Sequence, residues 1–382
     1  MINHPLLHNL EEVPSPCFVM VKKRLRSNLK LLQKIQQEAG IEILCALKGF
    51  AMWSVFPMMR QYLAGATASS LHEAMLCHET LETKAHLCAP IYMEHEFDSI
   101  TGISSHITFN SIAQYEKFGG RAADKGLKIA LRINPEYSEV STDLYNPCVP
   151  GSRLGIVKDQ MPAVLPQEVS GLHFHSLCGQ NEDALIRTLQ SVKINFGSYL
   201  HQIQWLNIGG GHHFTKDGYD LDRFIQYIRS FREQYQLDII AEPGEAIGWQ
   251  TGYLVSSIHD IVSNNGISTA MLDVSFAAHM PDCLEMPYMP YVFGSCDVQD
   301  ANYCYRLGGN TCLAGDFAGP YGFEQQLRVG ERIIFDDMMH YTMVKTNTFN
   351  GVQLPSIGIV EENGGFRLIN SYGYNDYKNR LS

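Results

Sequence analysis

The sequence predicts a (β/α)8 barrel joined to a second, all-β domain. Three observations predict it. Eight short apolar runs recur between residues 41 and 244, and most are followed by a stretch with apolar residues at helical spacing. After about residue 252 the pattern becomes short β-like runs separated by Gly, Pro, Asn and Asp. A lone apolar strand, "PCFVM" (16–20), precedes both regions. Eight alternating units in about 200 residues suit a closed barrel better than an open doubly wound sheet.

The elements follow in order. "VKKRLRSNLKLLQKIQQEAG" (21–40) reads as a helix closed by Gly40. The strands are "IEILCALK" (41–48), "AGATASS" (64–70), "AHLCAP" (85–90), "HITFNS" (106–111), "KIALRIN" (128–134), "GLHFHSL" (171–177), "WLNIGGG" (205–211) and "DIIAEPG" (238–244). Segments such as "LHEAMLCHETLET" and "YDLDRFIQYIRSFREQYQ" supply helices between them. The barrel is expected over residues 24–251, with 1–23 and 252–382 forming the β domain. No internal repeat or low-complexity tract appears.

The chain has 382 residues, 45% apolar and 18% charged, which is ordinary globular composition. No apolar run approaches the roughly 18 residues that span a bilayer, and the N-terminus lacks the features of a signal peptide. Ten cysteines without a CxxC pair read as reduced thiols of a cytoplasmic protein. A net charge of −11 argues against nucleic acid and suits a cationic small substrate. No metal is expected.

Active sites of such barrels lie at the C-terminal ends of the strands. Lys48 ends the first apolar run, where desolvation can leave a neutral, nucleophilic amine. The second run leads to Ser70 and Glu73, and the fifth to Arg132. The sixth carries His173, His175 and Cys178, the seventh Gly209, Gly210 and Gly211, and the eighth Glu242. A Gly-rich turn can hold a phosphate through backbone N–H groups. A lysine can form a Schiff base, a carboxylate can pair with a pyridinium nitrogen, and an imidazole can stack on a ring. Phosphate, aldehyde and pyridine nitrogen together describe pyridoxal 5'-phosphate. A sugar-phosphate aldolase would share the lysine and the phosphate site but has less need of Glu242 opposite a stacking histidine.

These residues sit in "CALKGF", "TASSLHE", "NPCVPGSRLG", "LHFHSLC", "NIGGGHH", "AEPGE", "HMPDCLEMPY", "TCLAGD" and "TFNG". From about residue 14 onward the chain resembles the fold-type III pyridoxal-phosphate decarboxylases, whose barrel is of the alanine-racemase type and whose members include ornithine and diaminopimelate decarboxylases. Within that group it is most similar to the carboxynorspermidine and carboxyspermidine decarboxylases. The resemblance implies decarboxylation of such a substrate to norspermidine or spermidine. It makes Lys48 the residue that carries the cofactor covalently, His175 the stacking ring and Glu242 the partner of the pyridine nitrogen. Cys178, Gly209 to Gly211 and Tyr341 would meet the phosphate, with Glu73 and Arg132 in support. Cys312 would reach into the neighbouring subunit of a homodimer with shared active sites and serve the protonation step.

Two departures stand out. Glu245 occupies the position of an Arg that binds phosphate in ornithine decarboxylases, and Leu313 that of an Asp which binds the distal amine there. The second argues against ornithine. Substrate amines would then meet Asp316, Asp282, Glu285 or Glu245, with Tyr288, Tyr291, Phe317 and Tyr321 nearby in sequence. The alternatives are a diaminopimelate- or ornithine-type decarboxylase, a racemase, which the Cys312 loop does not suit, and a non-catalytic binding protein, which joint retention of Lys48, His175, Glu242 and Cys312 argues against.

Overall fold

The computed structural model describes residues 10–382; residues 1–9, which the reading above assigns to the β domain, lie outside the described residues. The chain divides into two units. Residues 28–247 form one, and the described residues before Asn28 together with Gly248–Ser382 form the other. The sequence-based limits were 24 and 251. Helix α1 (Lys22–Ala39) runs across the first division, so no loop marks it in the sequence.

In the barrel unit, eight parallel strands close on themselves: β2 (Glu42–Ala46), β3 (Gly65–Ala68), β4 (Ala85–Cys88), β5 (Ser104–Phe109), β6 (Lys128–Arg132), β7 (Val169–His173), β8 (Trp205–Asn207) and β9 (Asp238–Ala241). β1 (Cys17–Val21) lies in the other unit. Each barrel strand is buried on both faces, which explains the unbroken apolar run of β2. The strands stop two to four residues earlier than the apolar runs suggest, because their ladders end where the chain turns at the rim. Local signals set the helices. Ser70 and Ser111 accept the N–H of Glu73 and Gln114 at 3.2 Å each, opening Leu71–Leu76 and Ile112–Asp124. Asp220 accepts the N–H of Arg223 at the start of Leu221–Tyr235.

Leu44, Ala130, Trp205 and Ile240 form an apolar layer in this unit. Alongside it, the imidazoles of His86 and His106 stack with centroids 3.7 Å apart, and His106 meets Trp205 edge-on at 5.2 Å. Gly171 is required here, since a Cβ would fall 2.2 Å from the Trp205 ring.

The other unit is a mixed sheet in the order β12-β14-β13-β11-β10-β1-β16-β17, with β15 also on β10. Its strands are β10 (Gly252–Asn264), β11 (Ile267–Leu272), β12 (Ser295–Cys296), β13 (Tyr303–Gly308), β14 (Phe317–Phe323), β15 (Arg332–Asp336), β16 (Ser356–Val360) and β17 (Phe366–Asn370). β1 joins it between β10 and β16. Cys17, Val19, Val21, Tyr253, Val255, Ile334 and Val360 pack its core. The region is not wholly β: Phe276–His279, Pro281–Glu285, Tyr341–Lys345 and Tyr374–Lys378 are short helices. None of the described helices is long and apolar enough to cross a membrane.

The stacked histidines make the barrel acid-sensitive. Burial holds His86 at about 4, and burial with His86 and Lys128 holds His106 at about 3. The unfolded chain takes up these protons near pH 6.5, so stability falls as pH drops through the window between about 6.5 and 3. The thermal midpoint should therefore decline from about pH 7 to 4.5, and His106→Phe should flatten that decline. An unchanged slope in a folded His106→Phe would contradict this origin.

Candidate active site

Glu242 lies one residue past β9 and is almost fully buried. Both of its oxygens are held. Asn207 Nδ2 donates to Oε1 at 2.6 Å, and His173 Nε2 lies 3.4 Å from Oε2. Burial pushes this carboxyl up, but His173 and Asn207 outweigh it and hold it at about 2. His173 is itself pushed down by burial and raised by Cys88 and Glu242, to about 9. The site therefore contains a buried carboxylate that stays ionised across the physiological range.

The other groups gather at the same end of the barrel. Lys48 stands in the turn after β2, and its Nζ lies 3.3 Å from His175 Nε2. Solvent reaches the Lys48 side chain, yet enough protein surrounds it that burial, followed by Arg132, lowers its affinity for a proton. His175 stays neutral, held well below its usual value by burial and by Lys48 and Arg132. The geometry agrees. Gly210 N–H donates to His175 Nδ1 at 3.0 Å, so the imidazole proton belongs on Nε2, where it faces a free amine able to accept it. Arg132, also buried, donates from Nη2 to the carbonyl of His175 at 3.4 Å.

Backbone close approach makes this convergence possible. The Lys48 turn abuts the loop after β9, where a Cβ on Gly49 would meet the Gly244 Cα at 2.8 Å. A Cβ on Gly210 would fall 2.5 Å from the Glu242 carbonyl, and one on Gly211 (φ +83) 2.1 Å from that of Leu177. Two of the three glycine amides already have work. Gly209 N–H donates to Asn207 Oδ1 at 2.8 Å, and Gly210 N–H to His175. The turn thus buttresses the acid and the imidazole.

The remaining predicted residues are spread over both units. Glu73 accepts the N–H of Ser69 at 2.7 Å and so caps its own helix; burial raises its carboxyl, with Ser69 and Lys48 opposing. Cys178 is exposed, and burial with Glu245 raises its thiol. Glu245 lies 3.7 Å from His213 Nε2. These belong to the barrel unit with the core of the site.

In the sheet unit, Cys312 is exposed, and its N–H donates to Asn350 Oδ1 at 2.9 Å. Asp316, buried, knots that loop. Its Oδ1 accepts from Ala277 N–H at 3.0 Å, and its Oδ2 from the N–H of Thr311 at 3.1 Å and the Thr311 hydroxyl at 2.5 Å. Glu285 pairs with Lys345. Asp282 accepts from the hydroxyls of Tyr288 (2.7 Å) and Thr342 (2.9 Å) through Oδ2, while its Oδ1 is buried without a hydrogen-bond partner among the described residues. Tyr341 opens the short helix Tyr341–Lys345. Tyr321 is buried with its hydroxyl on the Pro290 carbonyl, Phe317 lies under Arg306 at 4.6 Å, and Tyr291 is exposed.

Two residues of the site escaped the sequence reading. Asn207 orients Glu242, and Cys88 lies 3.7 Å from His173 Nε2. Both are the last residue of a barrel strand, which was the available signal.

A free amine opposite a neutral imidazole, a buried ionised acid and a glycine turn fit pyridoxal phosphate. The buried Thr67 Oγ1, on β3, and Ser176 Oγ, beyond β7, have no protein hydrogen-bond partner among the described residues, as suits groups kept for a ligand.

Comparison with known proteins points the same way. Residues 145–339 match the C-terminal sheet domain of the pyridoxal-dependent decarboxylases. The chain is 50% identical over 373 residues to a carboxyaminopropylagmatine decarboxylase of Synechocystis sp., covering 97% of this chain and 96% of that one. It is 39% identical over 381 residues to a carboxynorspermidine/carboxyspermidine decarboxylase of Campylobacter jejuni, covering 97% and 99%. A crystal structure of carboxynorspermidine decarboxylase from Campylobacter jejuni, complexed with norspermidine, superposes with a TM-score of 0.89 at 37% identity, over 96% of this chain and 100% of that one. A Helicobacter pylori diaminopimelate decarboxylase complexed with L-lysine shares the fold, with a TM-score of 0.83 at 15% identity over 98% of each chain.

Asn207→Leu removes a hydrogen bond to an ionised group inside the site. It should weaken pyridoxal-phosphate binding about ten- to hundred-fold in an absorbance titration. Unchanged affinity would show that Asn207 does not hold the acid.

Proposed function

The chain belongs to the pyridoxal-dependent decarboxylase family, and from that premise we propose that it removes the carboxylate of a carboxylated polyamine, namely carboxynorspermidine and/or carboxyspermidine, releasing norspermidine or spermidine. The observation that carries the chemistry is the free amine of Lys48 against His175 in a site whose ionised acid is Glu242. The substrate class is supported by the Campylobacter jejuni relative, which aligns over nearly the whole of both chains. A second reading, carboxyaminopropylagmatine, is favoured by the 50% identical relative. The two share an amino-acid end on a long polycation and differ at the far end, where one carries a guanidinium. A diaminopimelate- or ornithine-type activity is not favoured. The structure from Helicobacter pylori matches at 15% identity, and exposed Leu313 stands where ornithine decarboxylases have Asp.

Pyridoxal phosphate, when bound, supplies the electron sink for the pair left behind as carbon dioxide departs. The residues set up that event. Lys48, whose hold on a proton is weakened by burial and Arg132, would offer its amine to the cofactor aldehyde. Glu242 keeps the proton on the ring nitrogen, and Asn207 and His173 hold the acid in place. His175 presents a neutral, flat face that Gly210 locks in orientation, and Arg132 steadies the loop carrying it. Gly211 and Cys178 would meet the phosphate, and Glu73 caps the helix that follows β3. Electrostatic preorganisation of this kind contributes a few kcal/mol to catalysis.

The roles of Tyr341 at the phosphate and Cys312 as proton donor rest on the resemblance, as does the homodimer; a cytoplasmic location rests on ten cysteines without a CxxC pair. On that resemblance the Cys312 thiol of a neighbouring copy would supply, from Sγ, the proton that replaces the departed carboxylate. Of the four acids considered for the substrate amines, Asp282 keeps an acceptor, Oδ1, not used by the described residues, whereas Asp316 is committed to its loop. Asp282 is therefore the acid we assign to a substrate ammonium.

Carbon dioxide release should favour the carboxylated polyamines over ornithine and diaminopimelate by at least about a hundred-fold in kcat/KM. Comparable rates on all of them would reject the substrate class, and side-by-side rates on carboxyspermidine and carboxyaminopropylagmatine separate the two readings. Lys48→Ala should lose both turnover and the yellow colour that borohydride fixes to the wild-type chain; full activity would refute the scheme.

A further inference from the structure

Behind Glu242 the barrel carries a thiol that the reaction outlined above does not use, beside the imidazole that helps to hold the acid. Cys88 ends β4 and His173 ends β7. The Cys88 Sγ lies 3.7 Å from His173 Nε2 and 3.9 Å from Nδ1, and Nε2 is 3.4 Å from Glu242 Oε2. In the strand register His173 stands level with Arg132 on β6 and Asn207 on β8. One polar row therefore crosses three adjacent strands and ends at the acid. His173 is almost completely buried, so its charge must be balanced by neighbours rather than by water.

We propose that Cys88 and His173 are positioning residues for Glu242, a half-buried thiolate and a buried imidazolium that keep the carboxylate ionised and aimed at the ring nitrogen of the cofactor. The proton leaves Sγ and rests on the imidazole; nothing else is exchanged. Passing that proton leaves the net charge of the pair unchanged; it sets a cation beside Glu242 Oε2, balanced in turn by the thiolate rather than by water. The groups facing Cys88 are His173, Arg132, Glu242, Lys48 and Tyr92. Burial raises the thiol and Glu242 opposes its ionisation, but His173 and Arg132 prevail and bring it below the usual thiol range.

The proposal rests on Glu242 facing the ring nitrogen, and the two can fail separately. The test is peptide-resolved alkylation of the full chain, free of cofactor, across a pH series, with exposed Cys304 as the internal standard. Cys88 should reach half-maximal rate at a lower pH than Cys304, and His173→Gln should raise that midpoint to or above it. A wild-type midpoint at or above that of Cys304 overturns the pair, and this measurement decides alone if His173→Gln does not fold. A folded His173→Gln with an unmoved midpoint overturns it equally. The holoenzyme reads the positioning. The visible absorption band of bound pyridoxal phosphate should be insensitive to pH in the wild type and pH-dependent in His173→Gln. A band that stays insensitive in the variant overturns the positioning role even if the thiol titrates as expected.

Discussion

A carboxylate buried at the mouth of the barrel is the constraint on which the rest of the site depends. Taking an ion such as Glu242 out of water is costly unless donors replace the lost hydration. Asn207 and His173 do so, one on each oxygen. Their own requirements spread outward. Asn207 Oδ1 needs a donor and takes the Gly209 N–H; the turn that supplies it also gives the Gly210 N–H to His175; and the imidazole so oriented faces Lys48. Lys48, His175 and Glu242 are thus links of one hydrogen-bonded chain.

Closure of the strands makes such a chain possible. In a closed parallel barrel every strand points its C-terminal end at the same rim, so residues from β2, β6, β7, β8 and β9 meet although nearly two hundred positions separate the first from the last. Glycines set the final approach. Gly49 and Gly210 sit where a Cβ would strike backbone, and this allows the Lys48 turn and the glycine turn to crowd the loop bearing Glu242. In the sheet unit a different device serves a similar end: Asp316 ties a tight loop that presents Cys312 and Leu313 outward.

Much of this was legible in the sequence. All eight barrel strands overlap short runs rich in apolar residues, because most of their positions are buried, although β4 and β5 carry His86, Ser105 and His106 at half-buried positions. Lys48, His175 and Glu242 stood out as polar groups ending apolar runs. Cys88 and Asn207 did not, since a cysteine reads as a small apolar residue and an asparagine before a glycine turn reads as turn chemistry. Asp316 shows the opposite difficulty. Sequence marks an acid beside Cys312, but only coordinates reveal that one of its oxygens is taken by Thr311 of its own loop and the other by the Ala277 N–H. The short helices within the β-like region have no long apolar stripe to announce them.

The account stands or falls on what the buried acid does to the cofactor. Ring-15N pyridoxal phosphate, bound to the wild-type chain and to Glu242→Gln and observed by NMR, measures that directly. A protonated ring nitrogen in the wild type across neutral pH, and an unprotonated one in the variant, is the predicted result. An unprotonated nitrogen in the wild type, or a protonated one in Glu242→Gln, would contradict it.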